Sequence, residues 1–240
     1  MTERVVLVTG ANKGIGFEVA SALGAAGCRV ILGARDAARG EAVAAALAAS
    51  GVAAWAIHLD LLDPVSIVAA TAEIEAREGR LDVLVNNAGI AVAGDGPPTT
   101  AAIDAVRRVF DTNFFGTLAV TQAMVPLLRR GNSARIVTVS SGLGSLALSG
   151  DPTWEFASVE RIGYAASKAA LNMLTVQLAA ELGATITVHS VDPGFTATDL
   201  NGRRGRQTVA EGAEAVIAAA LGVGDRQTGD FRDRHGRVPW

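Results

Sequence analysis

Along the chain, short apolar runs rich in Val, Ile and Leu alternate with longer segments whose apolar residues recur every three to four positions. The runs are "RVVLVTG" (4–10), "RVILGA" (29–34), "AAWAIHL" (53–59), "LDVLVNN" (81–87), "ARIVTVS" (134–140) and "TITVHSV" (185–191). Mostly apolar runs, rather than strict apolar–polar alternation, mark strands covered on both faces, as in parallel sheets. Helical patterns lie between them, near 15–26, 37–49, 64–78, 100–129, 159–182 and 209–221. The alternation predicts βαβ units with helices on both faces of one sheet. Ala-rich tracts such as "EAVAAALAAS" read as helix faces. No repeat or low-complexity linker interrupts the pattern. Three segments fall outside it: a Gly/Pro-rich loop at 90–99, and loops at 142–158 and 194–208.

Composition narrows the picture. Of 240 residues, half are hydrophobic, enough for a sizeable core, and the net charge of −3 argues against a main role on nucleic acid or anionic membrane. Apolar stretches are interrupted before a membrane span is reached, and "MTERVVLVTG" does not resemble a secretory signal. The lone Cys28 cannot pair within the chain and fits a small buried hydrophobe in a reducing compartment, so a cytoplasmic location is expected. His58, His189 and His235 lack metal-ligand spacing, which leaves them structural or surface residues and no metal expected. The absence of G-x-S-x-G argues against a serine hydrolase.

The first strand runs into "TGANKGIG" (9–16) and then a helix. Glycines at 10, 14 and 16, with Asn12, Lys13 and Ile15 between them, would let the backbone approach a pyrophosphate at the helix N-terminus. The spacing is G-x-x-x-G-x-G, and an ordinary tight βα turn is the plainer reading of that motif alone. At the end of the second strand, where NAD-binding folds usually place a carboxylate for the ribose, the sequence reads "GARDAARG" (33–40). Ala34 takes that place. Arg35, Arg39 and Lys13 form a set of cations suited to a 2′-phosphate, while Asp36 offers the competing ribose ligand.

The only tyrosine, Tyr164, precedes Lys168 by one helical turn in "GYAASKAA", so the two share a helix face. Taken together, "TGANKGIG", "NNAG" (86–89), Asn113, Ser141, "YAASK" (164–168) and "DPG" (192–194) resemble, in order and approximate spacing, the short-chain dehydrogenases/reductases. The resemblance spans essentially the whole chain. "ARDAARG", the long segment before Tyr164 and the ending "TGDFRDRHGRVPW" are most similar to the carbonyl-reductase-like branch, which uses NADPH.

That resemblance implies a single Rossmann-type domain with a doubly wound parallel sheet of seven strands, ordered 3-2-1-4-5-6-7, the last near "TGDFRD". It implies an NADPH-dependent reductase of ketones or aldehydes, or an alcohol dehydrogenase in reverse. Tyr164 would be the general acid/base, and its phenol would be drawn below its ordinary pKa of about 10 by Lys168 and by the positive nicotinamide of the oxidised complex. Lys168 would also hold the nicotinamide ribose, Ser141 would hydrogen-bond the carbonyl oxygen, and Asn113 would anchor a water relaying protons to Lys168. Asn87 and Gly89 would line the cofactor groove, Asp60 and Leu61 would approach the adenine, and Pro193, Gly194 and Thr196 would meet the nicotinamide side. A cofactor-sensing regulator and an extended-branch epimerase are the rival functions. The retained Tyr, Lys, Ser and Asn count against the first, and the short stretch after Gly194 against the second.

Two departures from the family pattern stand out. Tyr164 follows Ser141 by 23 positions where most relatives use about a dozen, so the chain carries an insertion of roughly ten residues. Trp154 and Phe156 within it read either as anchors or as a wall of the substrate pocket. In relatives with such an insertion it obstructs one tetramer interface, so a monomer or homodimer is expected, with a homotetramer left open. The second is "FTATDLNGRRGRQ" (195–207), a loop expected to close over substrate. Its Arg203, Arg204 and Arg206 are suited to attracting an anion, although solvated charges are the plainer reading.

Overall fold

The computed structural model describes residues 3–224 and 227–240. Eight strands form one sheet: β1 Val5–Thr9, β2 Arg29–Ala34, β3 Ala54–His58, β4 Val83–Asn86, β5 Arg135–Val139, β6 Thr187–Val191, β7 Asp230–Asp233 and β8 Gly236–Arg237. Their order is β3-β2-β1-β4-β5-β6-β7-β8. The first seven pair in parallel, in the order expected, with β7 in "TGDFRD". The eighth, only two residues long, returns antiparallel on β7 and extends the seven-strand expectation by one edge. It is too short to carry a hydrophobic pattern.

Successive residues of each strand feed opposite faces, and this period of two splits the core. Val6, Val8, Val30, Leu32, Val83 and Val85 face helices α1 (Gly14–Ala25), α2 (Ala37–Ala49) and α8 (Val209–Leu221) through Val19, Leu23, Leu47 and Val216. Val5, Leu7, Ile31, Leu84 and Ile136 face α3 (Pro64–Glu78), α5 (Thr117–Leu128) and α7 (Ile162–Leu182) through Ile67, Ile74, Met124 and Leu178. Cys28 lies in the first of these clusters. His189 is buried against Asp230 of the neighbouring strand, whereas His58 and His235 are exposed. None of the helices among the described residues is long and apolar enough to cross a membrane.

Several helix ends follow from local chemistry. Asp63 caps α3 by accepting from Val65 N, Pro64 opens it, and Gly79 closes it in the left-handed conformation. Thr208 and Glu211 form a capping box on α8. The pattern at 100–129 is not one helix: α4 (Ile103–Phe110) passes through a π-helical turn, Asp111–Gly116, into α5. The predicted loop at 142–158 likewise contains a 3-10 turn, Gly142–Gly144, and a one-turn helix α6, Leu146–Ser149.

Candidate active site

The carboxyl ends of the parallel strands open into a cleft of about 1430 Å³. That exceeds the ~300–1000 Å³ of an ordinary small-ligand pocket and is room for a dinucleotide and a second molecule together. Such a crevice lies where strand order reverses, here between β1 and β4.

At one end is the glycine loop. Gly10 and Gly14 hold φ of +64° and +56°, open to glycine and strained for other residues. A Cβ on Gly16 would stand 2.4 Å from Asn87 Nδ2 and 2.6 Å from Gly10 O, so α1 can approach β4 only with glycine there. Thr9 and Asn87 tie the loop down: Thr9 Oγ1 accepts from Asn87 N and Ala88 N, each at 3.0 Å, and Asn87 Nδ2 donates to Thr9 O at 2.9 Å. No side chain caps α1, whose extended N-cap residue is Lys13. Its first N–H groups and dipole are therefore left for an anion, and a Cβ on Gly14 would meet only Thr198 Cγ2, at 3.7 Å. This open, glycine-lined N-terminus fits a nucleotide pyrophosphate.

Beyond β2, Arg35 and Arg39 are exposed and line the cleft. Arg35 makes no hydrogen bond or ion pair with the described residues, while Arg39 pairs with Asp36 at 3.1 Å. Asp36, the competing ribose ligand, caps α2 by accepting from Arg39 N. Lys13 is not free as expected: it forms an ion pair with Asp199 at 2.9 Å across the cleft mouth. Asp60 and Leu61 line the same end, where Asp60 closes a turn by accepting from Leu62 N at 3.0 Å.

Mid-cleft, β5 delivers Ser141 and α7 delivers Tyr164 and Lys168. Ser141 Oγ accepts from Leu143 N at 3.2 Å and lies close enough to the Tyr164 phenol to act on its pKa. Lys168 is buried, its Nζ 5.6 Å from the centre of the Tyr164 ring and donating to Val139 O at 2.7 Å. The 3-10 turn after Ser141 packs so closely on α7 that a Cβ on Gly144 would stand 2.7 Å from Lys168 C. Glycine at 144 thus sets the register between serine and the Tyr–Lys pair.

The expectation of a depressed phenol is reversed in the protein alone. Burial pushes the Tyr164 phenol up to about 12, and the negative Asp192 adds to the rise against smaller opposing effects of Ser141 and Arg161. Burial also pushes the Lys168 ammonium down to about 8, with Asp192 opposing. The cleft penalises charge on both groups more than the pair relieves it.

Two predicted residues do not line the cleft. Gly16 sits behind it as a packing glycine, and Asn113 is wholly buried in the π-helical turn. Both ends of the Asn113 amide are committed: Oδ1 accepts from Ile90 N at 2.8 Å, and Nδ2 donates to Ile90 O at 3.0 Å and Ser167 Oγ at 3.1 Å. The amide ties the loop after Gly89 to α7. Gly89 itself lines the cleft beside Lys168. Pro193, Gly194 and Thr196 line it as well, but the Thr196 hydroxyl turns inward, donating to Pro193 O at 3.0 Å and packing on Gly212.

The far end is a wall of aromatic rings. Trp154 and Phe156 from the insertion stand edge-to-face with centroids 5.5 Å apart, and Phe156 meets Phe195 of the 194–208 loop at 5.5 Å. The loop arginines are engaged: Arg203 pairs with Asp199, Arg206 with Glu155, and Arg204 Nε donates to Asn201 O.

Sequence reasoning missed three contributors. Asp95, buried in the 90–99 loop, accepts from Gly163 N at 2.7 Å and Tyr164 N at 2.9 Å and so caps α7 from 69 positions away. Asp192 enters the sequence pattern only as part of "DPG" (192–194). The C-terminal Arg237, Val238 and Pro239 line the cleft, held by Ser145 Oγ donating to Pro239 O at 2.7 Å and by Trp240 stacked on Phe231. No local motif announces a tail that docks by tertiary contact.

Comparison with known proteins agrees with this geometry. The family model described as short chain dehydrogenase matches residues 4–208. The chain is 37% identical over 227 residues to the short-chain dehydrogenase anuI of Penicillium roqueforti, covering 92% of this chain and 89% of that protein. It is 31% identical to salutaridine reductase of Papaver bracteatum, covering 96% and 94%. The NADPH-bound carbonyl reductase from chicken fatty liver superposes with a TM-score of 0.84 at 27% identity, over the full length of both chains. With its parallel sheet, glycine loop and Ser–Tyr–Lys cluster at the strand ends, the chain belongs to the short chain dehydrogenase family of oxidoreductases.

Proposed function

We propose that the protein reduces a ketone or aldehyde to an alcohol with NADPH, and catalyses the reverse oxidation with NADP⁺. The observation that carries this reading is the convergence of Ser141, Tyr164 and Lys168 between an anion-ready helix end and an apolar wall in one cleft. When bound, the nicotinamide would supply the hydride that the carbonyl carbon accepts. Tyr164 Oη donates its proton to the carbonyl oxygen, and a phenol held near 12 is protonated at neutral pH, as an acid must be. Ser141 Oγ, which lines the same cleft beside that phenol, stabilises the charge developing on the same oxygen. Lys168 would hold the ribose hydroxyls, while Arg35 and Arg39 would take the 2′-phosphate.

The choice of NADPH is supported by the unengaged Arg35, by Asp36 being used as a helix cap, and by the NADPH-bound carbonyl reductase among the similar structures. The substrate is read as a bulky apolar carbonyl compound lying against Trp154, Phe156 and Phe195, within loops 90–99, 142–158 and 194–208. Relatives named salutaridine reductase and (+)-neomenthol dehydrogenase, the latter 31% identical in Capsicum annuum, support a ring-bearing class. Steady-state NADPH oxidation with a panel of cyclic ketones, linear ketones and aldehydes tests the reading. Turnover of cyclic ketones above a no-substrate blank is expected, and no turnover of any carbonyl compound would refute it.

A further inference from the structure

At the end of β6, Asp192 is a carboxylate to which the reaction above assigns no role. Its backbone N donates to Arg232 O of β7 at 2.8 Å, which fixes its base. Its Oδ1 accepts from Gly194 N at 2.9 Å, and its other oxygen, Oδ2, lies against Gly142, the residue after Ser141. The approach is close enough that a Cβ on Gly142 would lie 3.0 Å from Asp192 Oδ2.

We propose that Asp192 is a positioning residue of the acid–base site: its carboxylate locks the Ser141–Gly142 turn to the Pro193–Gly194 turn and presents a negative charge to the Tyr164 phenol and the Lys168 ammonium. The inference rests on the acid–base role read for Tyr164. A fixed negative charge beside these two groups favours their protonated forms, phenol and ammonium, which are the forms that carbonyl reduction uses. Four groups share this field. Tyr164 and Lys168 face Asp192 from α7, Arg161 at the start of α7 acts on the phenol in the opposite sense, and Asp233 on β7 adds negative charge. Burial and Asp233 hold the Asp192 carboxyl above the ordinary carboxylate range, and the N–H groups of Gly194 and Gly142 oppose that rise. The same carboxylate thus ties two loops together and favours the protonated phenol that carbonyl reduction needs.

The test uses the full chain with Asp192→Asn, which keeps an acceptor oxygen and removes the charge. Tyr164 is the only tyrosine, so its ionisation is read directly by ultraviolet difference absorbance without turnover. The expected result is a phenol midpoint about one pH unit lower than in the wild type. The alkaline limb of kcat for ketone reduction should move down equally, leaving the variant about tenfold slower above that limb. If Asp192→Asn lacks native near-ultraviolet circular dichroism, Asp192→Ser, whose hydroxyl can accept from Gly194 N in the same turn, is read the same way. Superimposed phenol titrations of wild type and the folded neutral variant would overturn the proposal, because a purely structural clamp has no effect on the midpoint. A Tyr164→Phe enzyme with full activity would instead remove the acid–base reading and leave the measured coupling intact.

Discussion

Asp95 holds the backbone N–H of Tyr164 at 2.9 Å, so the loop after β4 caps the helix that carries the phenol. The same carboxylate accepts from Gly163 N, and a Cβ at Gly163 would lie 3.0 Å from Asp95 Oδ1 and 3.1 Å from Val106 Cα. Glycine before the tyrosine thus suits a close approach of α4 and the 90–99 loop, where any side chain would crowd both. Asp95→Ala removes a two-pronged cap and should cost about 1–2 kcal/mol of stability. It should also lower kcat, since the first turn of α7 sets the phenol. Thermal denaturation and kinetics on one preparation check both effects, and Asp95→Asn should recover part of each.

Tyr164→Phe keeps the ring and its packing and removes the proton donor. Since general acid–base catalysis typically contributes about 10²–10⁴-fold, kcat should fall at least that far, with NADPH affinity and melting temperature near wild type. Stopped-flow reduction of a responsive ketone, with NADPH fluorescence titration alongside, measures the two separately.

Lys168 is held for function against stability. Its ammonium is pushed from an ordinary 10.5 down to about 8, so between those values the unfolded chain binds more protons than the native one. Native stability therefore gains from this residue as pH rises from 8 towards 10.5, and below pH 8 the full penalty, on the order of 3 kcal/mol, is present. Lys168→Met should raise the melting temperature at pH 7 despite the lost bond to Val139 O, and the gain should vanish near pH 10.5. Differential scanning calorimetry across that range tests the sign, and activity should be lost throughout.

Arg35→Ala should weaken NADPH and leave NADH nearly unchanged. One charge-assisted contact is worth about 1.5–3 kcal/mol, so the preference should move by roughly tenfold or more. Isothermal titration with both cofactors reads it directly. Equal affinities in the wild type would return Asp36 to the ribose.

Trp154→Ala opens the wall between the insertion and the 194–208 loop. Values of KM for bulky cyclic ketones should rise more than those for small linear ones, with NADPH affinity unchanged. A uniform loss of activity with a lower melting temperature would make the Trp154–Phe156–Phe195 row an anchor rather than a pocket.

The strands, the glycine loop and the Tyr–Lys pair were legible in the sequence because each rests on a local rule, whereas strand order and Ser141 came with the family resemblance. Apolar runs such as "RVVLVTG" become covered strands, Gly10 and Gly14 permit positive φ, and Tyr164 and Lys168 share a face through the helical repeat. Asp63 and the Thr208–Glu211 box could be read in the same way, as caps a few residues from the N–H groups they satisfy. What escaped the sequence depends on contacts between distant segments. Asp95 meets Tyr164 across 69 positions, Asp192 joins two loops, Lys13 is taken by Asp199, and the tail from Arg237 to Pro239 reaches the cleft only because Ser145 and Phe231 dock it. The phenol's direction of shift belongs to the same group: a lysine one turn away is a matter of sequence, but the burial that outweighs it is decided when the sheet, the loops and α7 close around the pair.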